Sequence, residues 1–154
     1  MVHLQFFRSL RIGLLVLVLC FVGVAAPIWA AKSSHTRQVT VPPEDRFTSF
    51  ALTIRAGESV RWVNTDEDDH TVVSDDAFNT AGNKGVNRLL PADGGTVVLQ
   101  FTHPGTFVYY CRFHAHLDSF NQPVAPGPEG GIQDANGNFG TPMMGVITVL
   151  PDDD

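Results

Sequence analysis

Ala51-Leu52-Thr53-Ile54-Arg55-Ala56-Gly57-Glu58-Ser59-Val60-Arg61-Trp62-Val63 is the stretch whose reading decides the fold. Apolar and polar side chains alternate, a turn intervenes at Ala56-Gly57-Glu58, and the alternation resumes. Period-two alternation marks strands that bury one face. The same rhythm continues on both sides. Val39 and Val41 alternate with polar residues before Pro42-Pro43, and Thr71-Val72-Val73-Ser74 is a short strand candidate. Thr96 to Phe101 and Thr106 to Cys111 flank the turn His103-Pro104-Gly105, and Val146-Ile147-Thr148-Val149 precedes Pro151 and an acidic tail. Helix signals are nearly absent from Gln38 onward, so the expected class is all-β, a sandwich or barrel. Two stretches break the rhythm. Asn79 to Asp93, with Gly82, Gly85 and Pro91, reads as loop or weak helix; Ala115 to Pro142, rich in Pro, Gly and Asn, reads as a long loop insertion between two elements.

Composition narrows the function classes. With 154 residues, 44% hydrophobic and 17% charged, the chain fits one domain with a proper core and is not disordered in bulk. Sixteen acidic against 10 basic side chains, net −6, argue against nucleic acid, which needs a basic face. No period recurs, which excludes a solenoid or propeller. Two cysteines are too few for a disulfide-stapled scaffold.

The N-terminus reads as an address. Arg8 and Arg11 precede the uncharged run Ile12 to Ala31, and small residues stand at Ala25, Ala26, Ala30 and Ala31. Those are the parts of a secretory signal peptide over residues 1–30, with cleavage after Ala30 or Ala31. An uncleaved membrane anchor is the alternative, since the run is just long enough to span, although Pro27 breaks it. The expected domain is 31–154, exported to the periplasm or outside the cell. Without Arg8 and Arg11 it carries 8 basic and 16 acidic residues, net −8, and one cysteine, Cys111. An unpaired thiol in an oxidising compartment is either buried and inert or used by something other than a disulfide.

The chemistry concentrates in Cys111-Arg112-Phe113-His114, with His70 upstream and Met143-Met144-Gly145 downstream. A lone histidine or methionine means little. Two imidazoles with a thiolate form a trigonal set that a thioether can approach axially, and that set suits one copper ion cycling between Cu(I) and Cu(II).

Here the chain resembles the blue (type 1) copper proteins, the cupredoxins of the plastocyanin and amicyanin kind, over roughly Val39 to Val149. The carriers are Leu52 to Glu58, Trp62-Val63-Asn64-Thr65-Asp66, His70-Thr71-Val72, Phe101 to Phe107, Tyr110-Cys111-Arg112-Phe113-His114 and the closing Met143-Met144-Gly145-Val146-Ile147-Thr148-Val149. The resemblance implies a Greek-key β-sandwich in which His70 is the upstream buried ligand, Cys111 the thiolate, His114 the solvent-edge histidine and Met143 the axial ligand. Family spacing from the cysteine favours His114 over His116. Family pattern before Gly145 favours Met143 over Met144, and so does parity with Ile147 and Val149. His103, in a Pro-Gly turn, and His35 read as solvated. Thr71 matches a position that ties the ligand loop to the cysteine strand. Tyr110 stands where an aromatic has been proposed as a second electron exit. The departure is the 28 residues between His114 and Met143, where the family has only a few.

The implied function is one-electron carriage by a non-enzymatic monomer between redox proteins, such as a basic cytochrome or an oxidase, with membrane contact only if the N-terminal segment stays attached. Three rivals share the residues: an opened copper site that binds or transforms a small molecule, a copper carrier or storage module, and a metal-free sandwich. Asp66-Glu67-Asp68-Asp69 and Asp75-Asp76 flank His70. They read either as a solvated acidic turn or as a patch that steers a basic partner.

Overall fold

Alternating burial builds both layers. In β3, Ser59–Asn64, Val60 and Trp62 point inward while Arg61 is exposed. β1, Thr36–Val41, and β6, Thr96–Gln100, flank it, parallel and antiparallel respectively, in the order β1-β3-β6. The computed structural model describes residues 35–127, 131–132 and 139–153. The chain divides into two units, Met1–Ala31 and Lys32–Asp154, and the described residues all belong to the second. The expected signal peptide, 1–30, therefore lies outside the described residues. Among those described there is no helix.

The second sheet has the order β2-β10-β7-β4-β5. Its strands are β2 (Ala51–Arg55), β4 (His70–Val73), β5 (Asn87–Leu90), β7 (Gly105–Tyr110) and β10 (Met144–Leu150). β10 runs parallel to β2 and antiparallel to β7, which it joins through the pair Gly145↔Tyr109. The layers meet on aromatic side chains. Trp62 of one sheet lies edge-on to Tyr109 of the other, ring centroids 5.2 Å apart, and Phe101 meets Phe107 at 5.1 Å. Val39, Val41, Val60, Leu90 and Ile147 complete a fully buried centre. Burial of each such side chain contributes on the order of 1.5–3 kcal/mol. The all-β sandwich expected from alternation is the observed fold.

Two expectations need correction. Asn79 to Asp93 is not loop or weak helix throughout, because Asn87–Leu90 forms β5 against β4, with His70↔Leu90 in register. The stretch 115–142 is not all loop. It contains a hairpin of β8 (His116–Leu117) and β9 (Pro123–Val124), and Ile132 bridges to Thr141.

Candidate metal centre

Antiparallel topology brings the start of β4, the end of β7 and the start of β10 to one end of the second sheet. His70 opens β4, Cys111 follows β7 and Met143 precedes β10. Cys111-Arg112-Phe113-His114 closes a turn in which the His114 N–H donates to the Cys111 carbonyl at 3.1 Å. The Cys111 N–H donates to the Met143 carbonyl at 3.0 Å, and the Met143 N–H donates to the His114 carbonyl at 3.3 Å. The long insertion thus returns Met143 to the backbone beside both residues.

Donor atoms of His70, Cys111 and His114 lie within 4.8 Å of one another. Cys111 Sγ is 3.7 Å from His70 Nδ1. His70, Cys111 and Met143 are fully buried, whereas the His114 side chain keeps 25% exposure. Burial pushes the Cys111 thiol up, but the adjacent His114 and His70 imidazoles, the Phe113 backbone and the Thr71 hydroxyl outweigh it and bring the thiol down to about 5. A thiolate is the form that binds metal. His114 Nδ1 is buried with no hydrogen-bond partner, a costly state unless something else satisfies it. Two imidazoles, one of them with a buried orphan nitrogen, and a thiolate fit a soft-to-intermediate metal of the copper type.

Thr71 holds this end together. Its hydroxyl accepts the Arg112 N–H at 2.9 Å and donates to Cys111 Sγ at 3.7 Å. Tyr110 is half-buried and lines a crevice with Leu117 and Pro123 of the β8–β9 hairpin. His116 is exposed on β8, outside the donor group. Met144 is half-buried, on the opposite parity to Met143. His103 and His35 are exposed, as expected.

Sequence reasoning missed the carboxylates behind the imidazoles. His70 Nε2 lies 3.1 Å from Asp66 Oδ2 and 3.5 Å from Asp45 Oδ1, and His114 Nε2 lies 3.9 Å from that same Asp45 oxygen. Burial pushes Asp66 up, but the His70 hydrogen bond and the Glu67 N–H outweigh it and hold the carboxyl below the usual range. Asp45 is raised, mainly by burial and further by Asp66, against the pull of His114 and His70. The spacing Asp66–His70 was a weak signal for one of them. Nothing in Pro42-Pro43-Glu44-Asp45 marked the other.

Comparison with known proteins adds two findings. A family model described as copper binding proteins, plastocyanin/azurin family, matches residues 43–119, a span that contains His70, Cys111 and His114 and ends before Met143. Among solved structures, the chain is similar to a novel purple cupredoxin from Nitrosopumilus maritimus at 19% identity and TM-score 0.49, covering 74% of this chain and 99% of that one. It is also similar to amicyanin from Paracoccus versutus (Thiobacillus versutus) at 18% identity and TM-score 0.47, covering 75% of this chain and 81% of that one.

Proposed function

The chain belongs to the plastocyanin/azurin family of copper-binding proteins, and from that premise we propose that it is an exported one-electron carrier whose copper is held by His70, Cys111, His114 and Met143. The observation that carries this reading is the convergence of the His70, Cys111 and His114 donors within 4.8 Å at one end of the sandwich. Bound copper supplies the Cu(I)/Cu(II) couple, with sulfur suiting the reduced ion and imidazole the oxidised one. The protein's part is to keep the donors still and dry. His70 is anchored in β4 and Cys111 and His114 in one hydrogen-bonded turn, while Thr71 ties that turn to β4.

Burial of His70, Cys111 and Met143 favours a closed site over an opened one that admits a substrate, and hence a carrier over an enzyme. The exposed edge of His114, beside the half-exposed Phe113, is where a redox partner protein would approach. Export to the periplasm or cell exterior rests on the N-terminal address at residues 1–30. The test is a copper titration of residues 31–154 followed by visible and EPR spectroscopy and voltammetry. One copper per chain, an intense thiolate-to-copper band and a reversible one-electron wave are expected. A weakly coloured site, or copper lost rapidly to a chelator with no reversible wave, would sink the reading.

A further inference from the structure

Of the four consecutive acids at residues 66–69, three are exposed and Asp66 is not. It is 4% exposed and fixed from several sides. Its N–H donates to Asn64 Oδ1 at 3.0 Å, its carbonyl accepts from Asp93 N–H at 2.9 Å, and its Oδ1 accepts from Glu67 N–H at 2.7 Å. Asn64 is itself buried and held, its amide donating to the carbonyls of Asp68 and Leu90. The one oxygen left over, Oδ2, faces His70 Nε2 at 3.1 Å. A neutral imidazole carries one proton, and the nitrogen that lacks it is the one able to bind a metal.

We propose that Asp66 is a positioning residue that holds the His70 proton on Nε2, so that Nδ1, the nitrogen beside Cys111 Sγ, is presented to the copper with its lone pair free. This rests on the function proposed above. The carboxylate acts through His70 and touches no metal. It fixes ring orientation, and its charge makes the imidazole a stronger donor, which favours Cu(II) over Cu(I). Asp45 Oδ1, 3.5 Å from the same nitrogen, adds charge on that edge but sits beyond hydrogen-bond reach.

The isosteric variant Asp66→Asn is the test. Its carbonyl oxygen can still accept the Glu67 N–H, which turns the amide NH₂ toward His70 Nε2. Two donors then face each other, and the alternative tautomer blocks Nδ1. Asp68→Asn removes the same charge from an exposed neighbour and serves as control. Competition with a chelator should show Cu(II) affinity reduced 10- to 100-fold in Asp66→Asn and within about twofold of wild type in the control. Cu(II) should lose about tenfold more affinity than Cu(I), which is a rise in reduction potential of about 59 mV for one electron. Metal-free Asp66→Asn should unfold at a lower midpoint than wild type, since a buried charge-assisted hydrogen bond is lost, yet remain folded under the assay conditions. In the wild-type Cu(I) protein, ¹⁵N NMR should find a slowly exchanging proton on His70 Nε2, a readout that needs no mutant to fold. Wild-type affinity and potential in Asp66→Asn, losses equal to those of the control, or a proton on Nδ1 would overturn the proposal while leaving the carrier reading intact. A wild-type protein that binds no copper overturns both.

Discussion

Two side chains show how far burial alone sets behaviour at the residue scale. Met143 is fully buried just before β10, where its backbone bonds to both Cys111 and His114. Exchange for leucine conserves volume, so Met143→Leu should cost under about 1.5 kcal/mol of stability. Loss of the weak axial donor takes away a ligand that the higher-charged Cu(II) needs more than Cu(I) does, and voltammetry should show the potential raised, by about 59 mV for each tenfold loss of Cu(II) relative to Cu(I) affinity. Tyr109 is the other case. Its hydroxyl and the Trp62 indole N–H are both buried without a hydrogen-bond partner. Burial, outweighing the neighbouring Trp62, pushes the phenol far above its ordinary value of 10.0. A raised folded value means that the contribution to stability is complete below the unfolded value and is lost as pH rises beyond it. Urea midpoints of the metal-free protein should therefore fall above about pH 10, and Tyr109→Phe should remove much of that fall. At pH 7 the same variant should lie within about 1 kcal/mol of wild type, because the hydroxyl it deletes is unpaired.

Elements place what residues supply. Gly145 sits opposite Tyr109 in the β7–β10 pair, and a Cβ there would meet the phenol oxygen at 2.5 Å and the Phe50 carbonyl at 3.0 Å. The glycine is thus a packing requirement of the aromatic layer, and Gly145→Ala should lower the unfolding free energy by about 1–3 kcal/mol. The turn at residues 111–114 and the β8–β9 hairpin divide the two nearby histidines between them. His114→Gly should open a gap that external imidazole refills with recovery of the visible band, while His116→Gly should leave the spectrum unchanged. Strands with alternating apolar and polar residues, such as β2 and β3, were legible in the sequence, as was the aromatic run of β7 after its Pro-Gly turn. β5 was not, because Asn87-Arg88-Leu89-Leu90 exposes Leu89 and buries only Leu90, and its pairing with β4 becomes visible only in three dimensions. The juxtaposition of His70, Cys111 and His114 was legible because thiol and imidazole chemistry is rare enough to stand out. Asp66 was illegible for the opposite reason. A carboxylate within four acids reads as solvated, and what turns it inward is the buried amide of Asn64 at the end of β3.

For the whole molecule, charge and chain order matter more than any single contact. Glu67, Asp68, Asp69 and Asp76 are exposed close in sequence to His70, in a chain of net charge −6. On the carrier reading proposed above, electron transfer to a basic partner protein should slow several-fold as ionic strength rises from about 0.01 M to about 0.15 M, where the screening length shrinks from about 30 Å to about 8 Å. Stopped-flow rates that ignore salt would assign these acids to solubility alone. Chain order has a different consequence. β10 lies between β2 and β7, so Ala51 finds its parallel neighbour only when Val146 arrives, and Cys111 finds Met143 at the same moment. Pairings so distant along the chain make for slow, late closure, in milliseconds to seconds. A polypeptide emerging from its N-terminus therefore keeps a gap in its larger sheet until the final strand docks, and the sulfur stays open to oxidants and stray metals until then. Closure of the metal-binding end is in this sense timed by β10, the last of the described strands, whose docking brings Met143 to Cys111.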